Sequence, residues 1–180
     1  MKKLMKKALV GILAATMMLG SVCTAYAATG SATEAPAPTK QESVKADNGT
    51  KVNTSSKGTA TVTAVKKTTK KSVSVASKVT VNGVKYTVTK IGANTFANAK
   101  KATKVTLPAT ITEIKAKAFT GAKALKTIKI NSKKIKVDKA AFKGVNTKKM
   151  TIQLPAKATK AQKDALKKAF KDAGFKGTFK

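Results

Sequence analysis

The side chains able to do acid–base, nucleophilic or metal chemistry are few and far apart. Histidine is absent, which removes the commonest general base and the commonest metal ligand together. Cys23 is the one cysteine. The seven acids comprise Glu34, Glu42 and Asp47 early in the chain and Glu113, Asp138, Asp164 and Asp172 later. Glu113 and Asp138 could in principle form a general acid/base pair. A solvent-facing role is the simpler account, because they fall at comparable places, a residue or two off register, in successive units of a repeat. No glycine-rich phosphate loop, metal-ligand cluster or serine-centred motif is present. The expectation is a protein that is not an enzyme, with no catalytic or metal-binding residue and no cofactor.

Lysine is what the chain has in abundance. The formal net charge is +31, and every cation behind it is lysine. Arginine is the usual residue for bidentate clamping of planar anions, so an all-lysine surface points to diffuse, salt-sensitive attraction. The cluster Lys66, Lys67, Lys70 and Lys71 is the candidate polyanion-binding site. Tryptophan is absent, and Tyr26 lies in the segment read below as a leader. Stacking platforms for sugars or single-stranded bases are therefore scarce, and nucleic acid is not an expected partner.

The elements around these residues begin with a leader. Lys2, Lys3, Lys6 and Lys7 precede an apolar run from Ala8 to Gly20, and Ala25-Tyr26-Ala27 supplies a small-x-small cleavage signature. Residues 1–27 thus read as a signal peptide cleaved after Ala27. The apolar run falls short of the ~20 residues that span a bilayer, so no transmembrane segment is expected after cleavage. Lipid attachment at Cys23 fails because Val22 and Gly20 occupy the positions that need a small and a Leu-like residue. Cleavage removes the thiol, and disulfides go with it. Residues 28–58, poor in large apolar side chains and carrying Pro36 and Pro38, read as a disordered linker. Asn48 and Asn53 match a glycosylation pattern that chance readily produces in such a linker.

Residues 59–90 read as an N-terminal β-strand cap. Ala60, Val62 and Ala64 or Val65 alternate with polar residues, as do Val73 with Val75 and Val79 with Val81. Asn82-Gly83 lies between two such runs, the strongest short signal for a hairpin.

A repeat of 23 residues then governs 91–155. Ile91, Ile114 and Val137 each precede by five residues a phenylalanine, Phe96, Phe119 and Phe142. Asn98, Gly121 and Gly144 follow two residues later, types that tolerate a left-handed turn. Each unit finishes in a short alternating strand: Val105 and Leu107, Ile128 and Ile130, then Ile152 and Leu154 after a one-residue insertion. Such a period, with one short strand and one recurring aromatic per unit, is the mark of a solenoid. The expected repeat core is Ile91, Phe96, Leu107, Ile114, Phe119, Ile128, Ile130, Val137, Phe142, Ile152 and Leu154. The expected class is mainly β with α: a short leucine-rich-repeat-like solenoid of three 23-residue repeats, an N-terminal β-hairpin region and a C-terminal capping helix.

That helix is read in 156–180, followed by a tail. Thr159 and Gln162 form a capping box. Ala161, Ala165, Leu166, Ala169, Phe170 and Ala173 share one face, and Gly174 ends the helix. An amphipathic cap on an open solenoid end accounts for this face more simply than a membrane-surface helix. Leu107-Pro108-Ala109-Thr110 resembles the start of a sortase signal, but Ile111 stands where glycine is needed and no apolar C-terminal tail follows.

Across Thr59 to Lys180 the chain resembles the BspA-like leucine-rich-repeat proteins of bacterial surfaces. Ile114 through Ala118-Phe119, Leu125 through Ile128 and Ile130, and Asn82-Gly83 through Ile91-Gly92 carry the likeness. Thr95 stands where the pattern favours Ala, and Ala102 where it favours Leu. The resemblance implies an extracellular, secreted or cell-surface module for adhesion or binding. Its partner would be a protein ligand or an anionic cell-wall or glycan polymer.

Overall fold

The computed structural model describes residues 36–180; the leader at 1–27 and the first part of the expected linker lie outside the described residues. Among the described residues the regular structure is mostly strand, with one helix. In order, the elements are β1 (Gln41–Lys45), β2 (Lys51–Thr54), β3 (Thr59–Ala64), β4 (Ser72–Ser74), β5 (Lys78–Val81), β6 (Val84–Ile91) and β7 (Lys104–Leu107). They continue as β8 (Glu113–Ile114), β9 (Thr127–Ile130), β10 (Lys136–Val137), β11 (Thr151–Gln153), α1 (Lys160–Asp172) and β12 (Thr178–Phe179). One sheet runs β1-β2-β3-β6-β8-β10 with β5 paired to β6, and the other runs β12-β11-β9-β7-β4.

The repeat places one residue of each unit on the same rung of each sheet. Ile91, Ile114 and Val137 are in parallel register in the first sheet, and Val105, Ile128 and Ile152 in the second. Between the two sheets the chain turns through the phenylalanines, whose rings stack Phe96 on Phe119 at 5.2 Å and Phe119 on Phe142 at 5.0 Å, with their planes nearly parallel. Those separations match the ~4.8 Å spacing of adjacent strands, so the backbone ladder sets the ring stack. The turns carry a ladder too: Asn94 N donates to Lys117 O and Lys117 N to Ala140 O, both at 3.0 Å. Burying each such ring or Ile contributes about 1.5–3 kcal/mol.

Asn94, Lys117 and Ala140 take φ of 56, 59 and 63°. This left-handed position, two residues before each phenylalanine, is filled without glycine. Gly121 and Gly144 are also left-handed, at φ 89 and 81°, whereas Asn98 is not among the positive-φ residues. The left-handed turn expected after the ring therefore does not form in the first unit.

Parallel pairing extends past 91–155 on both sides. β3 pairs with the end of β6, placing Val62 beside Ile91, and β4 places Val73 beside Val105. After α1 the tail returns to the second sheet, where Phe179 pairs with Ile152. Gly92 N and the Thr95 hydroxyl both donate to Val62 O, at 2.7 and 2.8 Å, and the same hydroxyl reaches Gly92 O at 2.8 Å. The fully buried Thr95 thus has a physical reason to replace Ala: its hydroxyl ties the first unit to β3.

Residues 36–58, expected as part of a disordered linker, include two strands in the structure. β1 and β2 form an antiparallel pair on β3, burying Ala46, Val52 and Thr54. Few apolar side chains are needed because β2 pairs along its length with β3, whose Ala60 and Val62 are already buried. The two asparagines of the glycosylation pattern hold this pair together: Asn48 Oδ1 accepts from Thr50 N, and Asn53 Oδ1 from Ser43 N. Asn82 and Gly83, at φ 50 and 80°, join β5 to β6 as an antiparallel hairpin. Helix α1 carries the Thr159–Gln162 capping box. Its buried face is narrower than the sequence suggests, with Leu166, Phe170 and Ala173 covered but Ala161 and Ala165 exposed. Phe170 and Phe175 meet Phe142 at tilts of 50 and 54°, which ends the parallel stack. No helix among the described residues is long and apolar enough to cross a membrane.

Candidate functional site

Of the repeat-core residues, Ile91, Phe96, Leu107, Ile114, Phe119, Ile128, Ile130 and Ile152 are fully buried, and Phe142 is nearly so. Val137 and Leu154 are half-buried. Val137 lies on β10, the last strand of its sheet, and Leu154 beyond the end of β11.

Inward residues of the second sheet being apolar, alternation along each strand leaves polar neighbours on its outer face. Ser72, Lys104, Thr127, Thr151 and Thr178 form one row across the strands, and Ser74, Thr106, Lys129 and Gln153 the next. All are exposed or half-exposed. Parallel sheets usually have both faces covered, so an uncovered face of short hydroxyl side chains and lysines is a regular surface open to a partner.

Lys66, Lys67, Lys70 and Lys71 lie in the segment from β3 to β4, and all four are exposed. Lys71 also anchors that segment, its carbonyl accepting from Thr103 N and Lys104 N. Lys66, Lys67 and Lys70 rim a cleft of about 480 Å³ whose apolar floor includes Val62, Val65, Val75 and Val79. The cleft has a structural cause. Eleven residues separate Val62 from Val73, against fourteen between their partners Ile91 and Val105, and this shorter segment has no phenylalanine. Sequence reading finds the lysines but not the cleft, since an absent turn has no residue to announce it.

The acids sit elsewhere. Glu113, on the outer face of the first sheet, binds Lys90 at 2.7 Å through one oxygen and Lys115 at 2.5 Å through the other, and Lys115 also reaches Asp138 at 4.0 Å. Hydrogen bonds from Lys115 and then Lys90 hold the Glu113 carboxyl at about 2, well below its usual range, and Glu113 in turn raises Lys115. A carboxylate engaged at both oxygens is an ion-pair centre bridging successive strands rather than a proton donor. Among the described residues no group of acids could hold a metal ion.

A depressed pKa means that the folded state binds fewer protons than the unfolded one. Glu113 therefore stabilises the fold above the ordinary carboxylate value of 4.5, and that contribution is lost as pH falls toward about 2. Because both lysines are nearly half exposed, screening limits the gain to about 1 kcal/mol. Glu113→Gln is expected to lower stability by that amount at neutral pH and to flatten the acid limb of a denaturation series. An unchanged acid limb would remove Glu113 from the account.

Two sheets whose strands pair in parallel from one unit to the next, closed by a repeating turn and filled by a ladder of Ile, Leu and Phe, define a leucine-rich-repeat solenoid. The model of the BspA type leucine rich repeat region (6 copies) matches residues 71–173, more than half of the chain, and the chain belongs to this family. A leucine-rich repeat protein from Bacteroides capillosus shares the fold, with a TM-score of 0.51 and 23% identity over 68% of this chain and 86% of that one. A leucine rich cell surface protein from Faecalibacterium prausnitzii is 24% identical, with a TM-score of 0.48, over 71% of this chain. The chain spans 39% of the length of that protein. No curated protein matches.

Proposed function

We propose that the chain is an exported, surface-associated or secreted bacterial module that binds rather than catalyses. In this reading its three 23-residue units present the outer face of the second sheet to a protein ligand, between an N-terminal hairpin region and a capping helix. The observation that carries it is the uncovered parallel sheet, whose outer rows from Ser72 to Thr178 and Ser74 to Gln153 are polar and open to solvent. Export rests on the leader sequence, with cleavage after Ala27. The family and the cell-surface relative agree with such a placement.

A second reading, a cationic protein held on anionic wall polymers without a specific protein ligand, is favoured by the exposed lysines, Lys66, Lys67, Lys70 and Lys71 among them. Attraction of this kind weakens as salt shortens its range.

The test is a pull-down of the secreted chain on purified cell walls, with and without their anionic polymers, across a salt series. The N-terminus of the secreted form is read first and is expected to be Ala28; an uncleaved chain retained inside the cell would refute export. Retention that vanishes with the polymers and falls steeply with salt establishes the lysine surface. Retention that survives both points to a protein on the wall, and replacing Thr127 and Lys129 with glutamate should then release the chain. Release failing there would refute the sheet face as the binding surface.

A further inference from the structure

The cleft between β3 and β4 combines three features. The first is a free strand edge: β4 ends its sheet, and no described strand pairs with its far side. Val75 N donates to Thr106 O and the Lys71 carbonyl accepts from β7's side, so alternation turns the backbone groups of Ser72 and Ser74 outward. The second is an apolar floor of valines directly beside that edge. The third is the rim of Lys66, Lys67 and Lys70, with no acidic residue among the lining.

We infer that this cleft takes an acidic, extended peptide segment of a partner protein, which adds to β4 as a further strand. Backbone hydrogen bonds to Ser72 and Ser74 supply the pairing, as in other cases of strand addition to an exposed edge. Alternate apolar side chains of the segment lie on the valine floor, in the space that a full-length turn with its phenylalanine fills in the later units. Its carboxylates meet the lysine rim. Charge selects this occupant over a second copy of the chain, because stacking one copy on another would bring two strongly cationic bodies together. The site meets the sheet face invoked above at Ser72 and Ser74 and shares its lysines with the wall-polymer reading, but it is defined by backbone pairing along the far edge of β4, which neither of those readings requires.

The test uses the full chain and a fluorescently labelled peptide of alternating glutamate and valine. Two controls accompany it: polyglutamate of equal charge, and the same alternating peptide N-methylated along its backbone. Saturable binding of the alternating peptide is expected to be at least about tenfold tighter than either control, the equivalent of 1.4 kcal/mol. Ser74→Pro removes an outward amide without breaking a bond to β7, and should abolish that advantage while leaving the thermal midpoint in place. Lys66→Glu combined with Lys70→Glu should weaken binding of the alternating peptide to a similar extent. Equal binding of all three peptides, or full binding by folded Ser74→Pro, would overturn strand addition and leave surface charge alone. Slow hydrogen exchange of the Ser72 and Ser74 amides in the free chain would overturn it as well, by showing the edge already occupied.

Discussion

Phe119→Ala is expected to remove about 3–5 kcal/mol of stability and to lower the thermal midpoint by roughly 10 °C or more. The ring is fully buried in the middle unit, with Phe96 at 5.2 Å on one side and Phe142 at 5.0 Å on the other. Truncation opens a cavity that neither neighbour can fill, because each is held by its own strand register. It also forfeits two aromatic contacts of about 0.5–1.5 kcal/mol each. Against a total stability of about 5–15 kcal/mol, one side chain carries a large share of the margin. Val137→Ala, at a half-buried position on the last strand of its sheet, should cost clearly less. Equal midpoints for Phe119→Ala and the parent would show that the ring ladder is not what holds the solenoid together.

Gly177→Ala is the second substitution with a large expected effect, and its cause is space rather than backbone conformation. An added Cβ would lie 2.1 Å from Met150 O and 2.5 Å from Thr147 O, both backbone atoms of the preceding unit, and 2.7 Å from the Phe175 ring. Such overpacking costs about 3 kcal/mol, and the simplest relief is to peel β12 away. Thr178 N and Lys180 N, which donate to Met150 O and Ile152 O, should then lose protection from hydrogen exchange. Gly174→Ala provides the contrast: nothing lies within 4 Å of its added Cβ, and only its φ of +91° is strained. That variant should cost about 1 kcal/mol and leave β12 protected. If the two alanine variants melt together, the close approach at Gly177 does not bear on stability.

The ladder was legible in the sequence because it is written in side chains that recur. Ile91, Ile114 and Val137, with their phenylalanines, reveal both the rung and the turn without any tertiary information. β1 and β2 were not legible, because Val44 and Val52 are their only large apolar residues and β3 supplies the rest of their environment. The left-handed residues Asn94, Lys117 and Ala140 were equally hidden, since lysine and alanine give no sign of positive φ and the ladder of turns imposes it. β12 did carry a signal, Thr178-Phe179 just beyond Gly177, which reads as tail only if the helix is taken as the end of the fold. At the candidate site the lysines were visible from composition. The cleft they rim depends on comparing the length of one turn with another, and on which strands lie side by side.

The two ends of the ladder are built from unlike pieces, valines and antiparallel strands before it and tilted phenylalanines after it, while a set of backbone bonds recurs from one unit to the next. Lys115 N donates to Ile91 O and Asp138 N to Ile114 O, as Phe96 N does to Ala118 O and Phe119 N to Ala141 O, the two bonds of each pair one period of 23 residues apart. A gene segment encoding one such unit could therefore be duplicated or lost by unequal recombination without disturbing either terminus, provided the join keeps the period. The reach of the exposed sheet would become a heritable length that changes in whole steps, and a population could sample shorter and longer versions with no new way of starting or stopping the fold.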